Sequence, residues 1–425
     1  MNKEINSRLA AAIHGEFHEK NLSGLLTVVR KVELKRIAGR ATAVIGVRRC
    51  GKTYLLFREI QKLKERAVPD ESILYVNFED DRLLPMGHKD LGAFLDGFYA
   101  LFPENHDRET WLFLDEIQNV EGWPSVVRRY LDTKKTNIFL TGSSAKMLST
   151  EIATSLRGRS FAHQAWPFDF QEYLRLIERE DLLGGTSPRV ADHRRKCLGD
   201  YLVNGGFPEV IKAEPAIRRE LLQHYVETIM TRDVIERHRI GAGTILKILV
   251  KQLLQHAGQS FSINPYFNHL KSLGLKVSKN TLHEYLAYLE DCFFVFTVPV
   301  YSESAKKVQN NPKKIYAVDT GLAVSYQFGF SENLGRLFEN LVFLELKRRD
   351  LEVAYYRTES GREVDFVCTS KKNGKSFLVQ ACYDASDGET LKREAKALNE
   401  AEAETGFKGR LVTLSEFNVP DESEF

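Results

Sequence analysis

The chain has no CxxC pair: its five cysteines (Cys50, Cys197, Cys292, Cys368 and Cys382) are an odd number scattered over 425 residues. That distribution excludes a disulfide framework and a zinc knuckle, and it fits a reducing cytosol. No stretch approaches the ~18 uninterrupted apolar residues that a membrane span requires. An excess of charge is missing too, because 60 basic and 58 acidic residues leave a net charge of +2. Binding nucleic acid by global charge is thereby excluded, while a local basic patch is still allowed. There is no internal repeat and no low-complexity tract, and the opening MNKEINSRLAAAIHGEF is charged too early and too often for a signal peptide. What is present is ordinary core material, 43% hydrophobic against 28% charged residues, which rules out bulk disorder. At roughly 150 residues per domain the length predicts about three domains. The expectation is a cytoplasmic multidomain protein with no membrane segment.

Short apolar runs punctuate residues 41–170: Ala43–Ile45, Ile73–Val76, Trp111–Leu114 and Ile138–Leu140. Separated by helical stretches, they predict a parallel sheet with crossover helices, its strands buried on both faces. Residues 171–240 turn helical and charged. Helical spacing then recurs over 244–257, near 265–273, and from Ser278 as a cap to about Glu290. A β-rich run at Phe293–Tyr301, a polar loop and Lys314–Val318 follow. The last hundred residues read as a helix at Leu334–Arg348 and strands at Val353–Arg357, Glu363–Cys368 and Phe377–Ala381.

The first run leads into Gly46-Val47-Arg48-Arg49-Cys50-Gly51-Lys52-Thr53, a GxxxxGKT sequence between a strand and a helix. Glycines let the backbone wrap phosphate oxygens with its N–H groups, and the helix start adds a positive dipole end. Lys52 is expected to reach the β- and γ-phosphates of ATP, and the Thr53 hydroxyl to ligate Mg2+. Tyr54 completes the candidate nucleotide-binding set. The acids closing Trp111–Leu114 supply the second half: Asp115 is expected to hold the magnesium through water, and Glu116 to polarise the attacking water. Thr141-Gly142-Ser143-Ser144 ends a third strand, where Ser143 or Thr141 is a candidate γ-phosphate sensor and a plain turn is the competing reading. Arg157 and Arg159 are candidate arginine fingers with Arg159 preferred, against the alternative of helix-end charges. Arg48 and Arg49 are expected to be structural or solvated.

These segments resemble the AAA+ ATPases. More narrowly, the chain resembles a family of prokaryotic ATPases with an AAA+ core and a C-terminal restriction-endonuclease-like domain. The matching blocks include NFED (Asn77–Asp80), FLDEIQN (Phe113–Asn119), LTGSSAKML (Leu140–Leu148), LRGRSF (Leu156–Phe161) and GGFPEV (Gly205–Val210). The expected class is α/β, with an N-terminal helical segment (1–25), a P-loop core (26–170), a helical lid and connector (171–240), a winged-helix domain (241–325) and the endonuclease-like domain (326–425). The AAA+ resemblance also implies a homo-oligomer, such as a hexameric ring with fingers acting between subunits.

Three helices and a hairpin are the order of a winged helix. Its exposed residues would be Lys279, Asn280 and His283 on the third helix and Lys306, Lys307, Lys313 and Lys314 in the hairpin loop, a set suited to DNA phosphates. Glu284, Glu290 and Asp291 weaken that patch, and a protein-packing role is the alternative. In the C-terminal resemblance, Glu339 and Asp365 take metal-binding positions and Gln380 is a weak ligand, but Cys382 stands where the reaction needs a lysine. A thiol supplies no fixed positive charge, so cleavage is not expected unless Lys392 or Arg393 substitutes. The combined expectation is a Mg2+-dependent ATPase coupling hydrolysis to the binding or remodelling of DNA. The rivals are an ATP-gated nuclease and a nucleotide-switched protein-interaction scaffold.

Overall fold

The four apolar runs supply four strands of one parallel five-stranded sheet in the computed structural model, which describes residues 3–22, 24–25, 28–144, 158–184, 187–327, 334–415 and 417. Its strands are β1 (Ala41–Ile45), β2 (Ile73–Asn77), β3 (Thr110–Asp115), β4 (Thr136–Gly142) and β5 (Ser160–Gln164). They lie in the order β2-β3-β4-β1-β5. Every residue of β1 and β3 is buried, as strands covered by helices on both faces require. β5 carries no apolar run and is half exposed. It is an edge strand paired to β1 alone, which is why periodicity gave no sign of it. A helix at Lys3–His18 lays Phe17 on Tyr75 of β2, with ring centroids 4.6 Å apart. Because the strands are parallel, the segments leaving β1, β3 and β4 emerge at one edge of the sheet.

The chain divides after Trp166 into two units. The second begins with helices Phe170–Leu176, Pro188–Asn204, Pro208–Lys212 and Pro215–Thr228, the last running on into a π-helical turn at Ile229–Glu236. The GGFPEV segment explains itself here. A Cβ on Gly206 would sit 2.2 Å from the Phe168 carbonyl oxygen, and the Gly206 N–H donates to buried Asp319 Oδ2 at 2.6 Å. That segment is a packing joint.

Next come helix Thr244–Gln255, β6 (Gln259–Phe261), helices Ile263–Ser272 and Lys279–Asp291, β7 (Val295–Val298) and β8 (Lys313–Ala317). Ser278 caps the third helix by accepting from the Thr281 N–H at 3.0 Å. The strands pair antiparallel in the order β6-β8-β7. Two expectations are corrected. Lys306 and Lys307 lie on a short helix, Ala305–Asn310, rather than in an irregular loop. Lys314 is not a loop residue at all but a buried member of the central strand β8. A four-stranded sheet then follows helix Leu334–Arg348: β9 (Leu351–Arg357), β10 (Glu363–Ser370), β11 (Ser376–Cys382) and, after helix Gly388–Thr405, β12 (Gly409–Thr413). Its order is β9-β10-β11-β12, with the final pair parallel. Among the described residues no helix is long and apolar enough to cross a membrane.

Candidate nucleotide site

The loop after β1 is held open by glycine and by a buried arginine. Gly46 has φ +152°, and a Cβ there would lie 2.0 Å from the Ala165 carbonyl oxygen beside β5. Gly51, φ +95°, starts helix Lys52–Glu65 from the left-handed region, which residues with a Cβ enter at a cost. Val47 and Cys50 are buried, and the Cys50 thiol turns toward the Ala165 carbonyl at 3.5 Å. Arg30 braces the loop from behind, donating to the Cys50 carbonyl at 2.9 Å and to the Trp166 carbonyl at 2.7 Å. Nothing in the sequence distinguishes Arg30 from the chain's solvated arginines, yet it is buried. Arg48 is tied to Glu79 at 2.6 Å, and Arg49 is in the left-handed region with φ 66°. Tyr54 is 48% exposed on the first turn of the helix.

The acids at the end of β3 meet this loop. The Thr53 hydroxyl donates to Asp115 Oδ2 at 2.8 Å. Tyr75, from β2, donates to the same oxygen at 2.8 Å, and Thr141 donates to Asp115 Oδ1. Three hydroxyls therefore hold one carboxylate. Burial, and then the charge of Glu116, keep the Asp115 carboxyl above its usual range. Thr53 and Asp115 together offer hard oxygen donors in direct contact. That set fits a magnesium ion, which takes one or two protein ligands and completes its shell with waters and phosphate.

Glu116 follows in the left-handed region, φ 52°, a conformation that costs a non-glycine residue about 1 kcal/mol or more. Its N–H donates to the Thr141 hydroxyl at 2.8 Å, and its carboxylate accepts from Gln118 at 2.5 Å. Lys52 Nζ stands 3.4 Å from Glu116 Oε1 and donates to the Gly46 and Val47 carbonyls at 3.1 and 3.3 Å. Burial pushes the Glu116 carboxyl up, but Lys52 and then Arg48 outweigh it, so the group sits below the usual carboxylate range. Glu116 is therefore ionised at neutral pH.

The Thr141 hydroxyl donates to Asp115 and accepts from the Glu116 N–H. Ser143 is fully buried just beyond it. Arg157 lies outside the described residues. Arg159 precedes β5, and its carbonyl bonds to the Ala41 N–H at 2.9 Å, at the opposite end of β1 from the phosphate loop. Its guanidinium pairs with Asp132. In the second unit, Lys279, Asn280, His283, Lys306, Lys307 and Lys313 are exposed. Glu339, Asp365 and Gln380 come together, and the cation that enters their cluster is Lys314 rather than Lys392 or Arg393. Arg393 pairs instead with Glu394 at 2.7 Å.

Residues 38–174 match the model of an AAA domain. Residues 195–333 and 334–424 match two domains of unknown function (DUF8612 and DUF4143). A protein of Methanocaldococcus jannaschii named "Uncharacterized protein MJ1544" is 35% identical over 387 residues, covering 88% of this chain and 81% of that one. A Haemophilus influenzae protein, "Uncharacterized protein", is 30% identical over 80% of this chain and 82% of its own length. Among solved structures, the Walker-type ATPase PABY2304 of Pyrococcus abyssi is similar with TM-score 0.45 and 14% identity, over 68% of this chain and 91% of that one. The Aeropyrum pernix Orc1 protein in complex with DNA gives TM-score 0.34 and 13% identity, over 76% and 92%. The chain belongs to the family of these two sequence relatives, with an AAA domain over residues 38–174.

Proposed function

We propose that the protein is a magnesium-dependent ATPase that works as a homo-oligomer and couples hydrolysis to the binding or remodelling of DNA. The observation that carries the ATPase reading is the meeting of Lys52, Thr53, Asp115 and Glu116 at one edge of a parallel sheet. When nucleotide enters, the Lys52 ammonium exchanges Glu116 and the loop carbonyls for phosphate oxygens. That exchange releases Glu116 to orient an attacking water and take its proton, while Gln118 keeps the carboxylate in place. Thr53 and Asp115 would hold a magnesium ion, which supplies charge neutralisation at the phosphates when bound.

Support for the DNA part comes from the second unit. Apart from the short helix Ala305–Asn310 between β7 and β8, the helix–strand–helix–helix–strand–strand order of residues 244–317 resembles a winged helix, and Lys279, Asn280 and His283 are exposed at the start of its third helix. Such a surface would bind phosphates in a salt-sensitive, largely sequence-independent way. The deciding measurement is the ATPase rate without DNA and with single-stranded, duplex and branched DNA, at low and moderate salt. Stimulation by at least one DNA form, weakening as salt rises, is expected. A rate indifferent to DNA yet responsive to a protein would replace the DNA reading with the scaffold reading.

The oligomer part is supported by the position of Arg159. β1 is five residues long, so Arg159 stands about 15 Å or more from its own phosphate loop, and a finger role for it would be toward another subunit's nucleotide rather than its own. Mixing Lys52→Ala subunits with Arg157→Ala/Arg159→Ala subunits should therefore restore part of the ATPase activity that each lacks alone. No recovery in demonstrated mixed assemblies would end the shared-site reading.

A further inference from the structure

The endonuclease-like resemblance implies a divalent metal ion at Glu339 and Asp365, and the residues present do not fit one. The space between the carboxylates is filled by a side chain from another sheet. Lys314 Nζ lies 2.8 Å from Glu339 Oε1, 2.8 Å from Glu363 Oε1 and 3.2 Å from Asp365 Oδ1. An ammonium has three donors, and each has its own carboxylate. A hard divalent ion bound to these oxygens would sit about 2.0–2.6 Å from them, in the volume Nζ occupies. Among the described residues no group of three or more His, Cys, Asp or Glu is arranged to hold a metal.

The rest of the cluster is built around the lysine. The Lys314 side chain is 4% exposed, and its backbone is fixed in the central strand β8, paired with Ser260 on one side and Val298 on the other. Two residues along the same face, the Tyr316 hydroxyl donates to Glu339 Oε1 at 2.6 Å. The second oxygen of Asp365 accepts from the Ala381 N–H at 3.0 Å, and that of Glu363 accepts from Arg357 at 3.3 Å. The Gln380 amide is engaged at both ends, with its oxygen on the Asp365 N–H at 3.0 Å and its nitrogen on Glu394 at 2.7 Å. At Cys382 burial pushes the thiol up, so it stays neutral. An open pocket lined by Glu339, Glu363, Asp365, Gln380 and Cys382 adjoins the cluster. Solvent ions can therefore approach the carboxylates, and the ammonium is what stands in their way.

We propose that Lys314 is the resident cation of this cluster, excludes divalent metal from Glu339, Glu363 and Asp365, and locks β8 to the C-terminal sheet as a charge-paired joint in place of a hydrolytic centre. Uncompensated buried carboxylates are strongly destabilising, so the lysine is needed for folding where a metal would be needed for chemistry.

The test compares full-length wild type, Lys314→Met, Asp365→Asn and the double variant by thermal unfolding, with and without millimolar Mn2+. Lys314→Met should unfold roughly 10 °C lower than wild type. Mn2+ should restore part of that loss by entering the vacated place, and Asp365→Asn in the same chain should remove the restoration. Wild type and Asp365→Asn should respond alike to Mn2+, since in neither is a metal site open. Three results would each overturn the proposal: a Lys314→Met protein as stable as wild type, no Mn2+ response in that variant, or a wild-type Mn2+ stabilisation that Asp365→Asn abolishes. If Lys314→Met does not fold, counting bound Mn2+ by its paramagnetic resonance in wild type and Asp365→Asn still decides. Equal counts support metal exclusion, and a site lost with Asp365 refutes it.

Discussion

Lys52→Ala should bind ATP at least ~100-fold more weakly than wild type, and Glu116→Gln should bind it normally while hydrolysing it at least ~100-fold more slowly. The first figure follows from losing charge-assisted hydrogen bonds to two phosphates, each worth about 1.5–3 kcal/mol. The second is the low end of what a positioned general base contributes. The nucleotide-free geometry sharpens both. Lys52 Nζ is 3.4 Å from Glu116 Oε1, so deleting the lysine strands a buried carboxylate and lets its pKa rise from the lowered value that Lys52 now maintains. Residual hydrolysis in Lys52→Ala should therefore fall further as pH is lowered through the carboxylate range. Glu116→Gln leaves Lys52 its bonds to the Gly46 and Val47 carbonyls, and it removes a negative charge facing the incoming phosphates. Equilibrium binding of a fluorescent ATP analogue and steady-state phosphate release measure the two effects separately. A Glu116→Gln protein with wild-type turnover would remove Glu116 from the water-activating role.

Gly46→Ala should cost the first unit roughly 2–5 kcal/mol, or about 5–15 °C in Tm, and abolish nucleotide binding. Two penalties coincide at that position. Its φ of +152° is one that residues with a Cβ rarely adopt, and the new methyl would meet the Ala165 carbonyl oxygen at 2.0 Å. That oxygen is backbone, and its own amide is bonded to the Ile45 carbonyl at 2.6 Å. Relief would mean parting β5 from β1. Gly39→Ala is the matched control: φ there is +71°, but a Cβ meets nothing within 4 Å. It should lose about 1 kcal/mol and keep nucleotide binding, as thermal unfolding and analogue titration will show. Equal losses in the two variants would mean that the close approach to Ala165 is not what selects glycine at 46.

The phosphate loop was legible because its chemistry is local. Eight consecutive residues carry the glycines, the lysine and the hydroxyl, and the strand before and the helix after are readable from apolar runs. Asp115 and Glu116 were legible for a related reason: an apolar strand ending in two acids has a meaning once a phosphate loop precedes it in a parallel sheet. Helix Lys279–Asp291 announced itself through Ser278 and its leucine spacing, and the first three strands of the C-terminal sheet through their β-rich runs, whereas β12 (Gly409–Thr413) was not foreseen. β5 was not legible, since an edge strand needs only one buried neighbour and carries no apolar signature.

What the tertiary structure alone decided is which polar side chains are removed from water and with whom. Tyr75 reads as one more apolar strand residue until β2 lies beside β3 and its hydroxyl meets Asp115. Arg30 and Gln118 look like solvated surface until the fold places them against the loop and against Glu116. Lys314 is the sharpest case. Beside Lys313 in a polar stretch it has the sequence signature of an exposed basic loop, yet its partners Glu339, Glu363 and Asp365 lie 25 to 51 residues further on. Burying an ammonium costs several kcal/mol unless carboxylates meet it, and no local pattern records whether they will. Sequence spacing determines where a backbone can cradle phosphate. The pairing of charges across sheets depends on contacts that exist only once the sheets have packed.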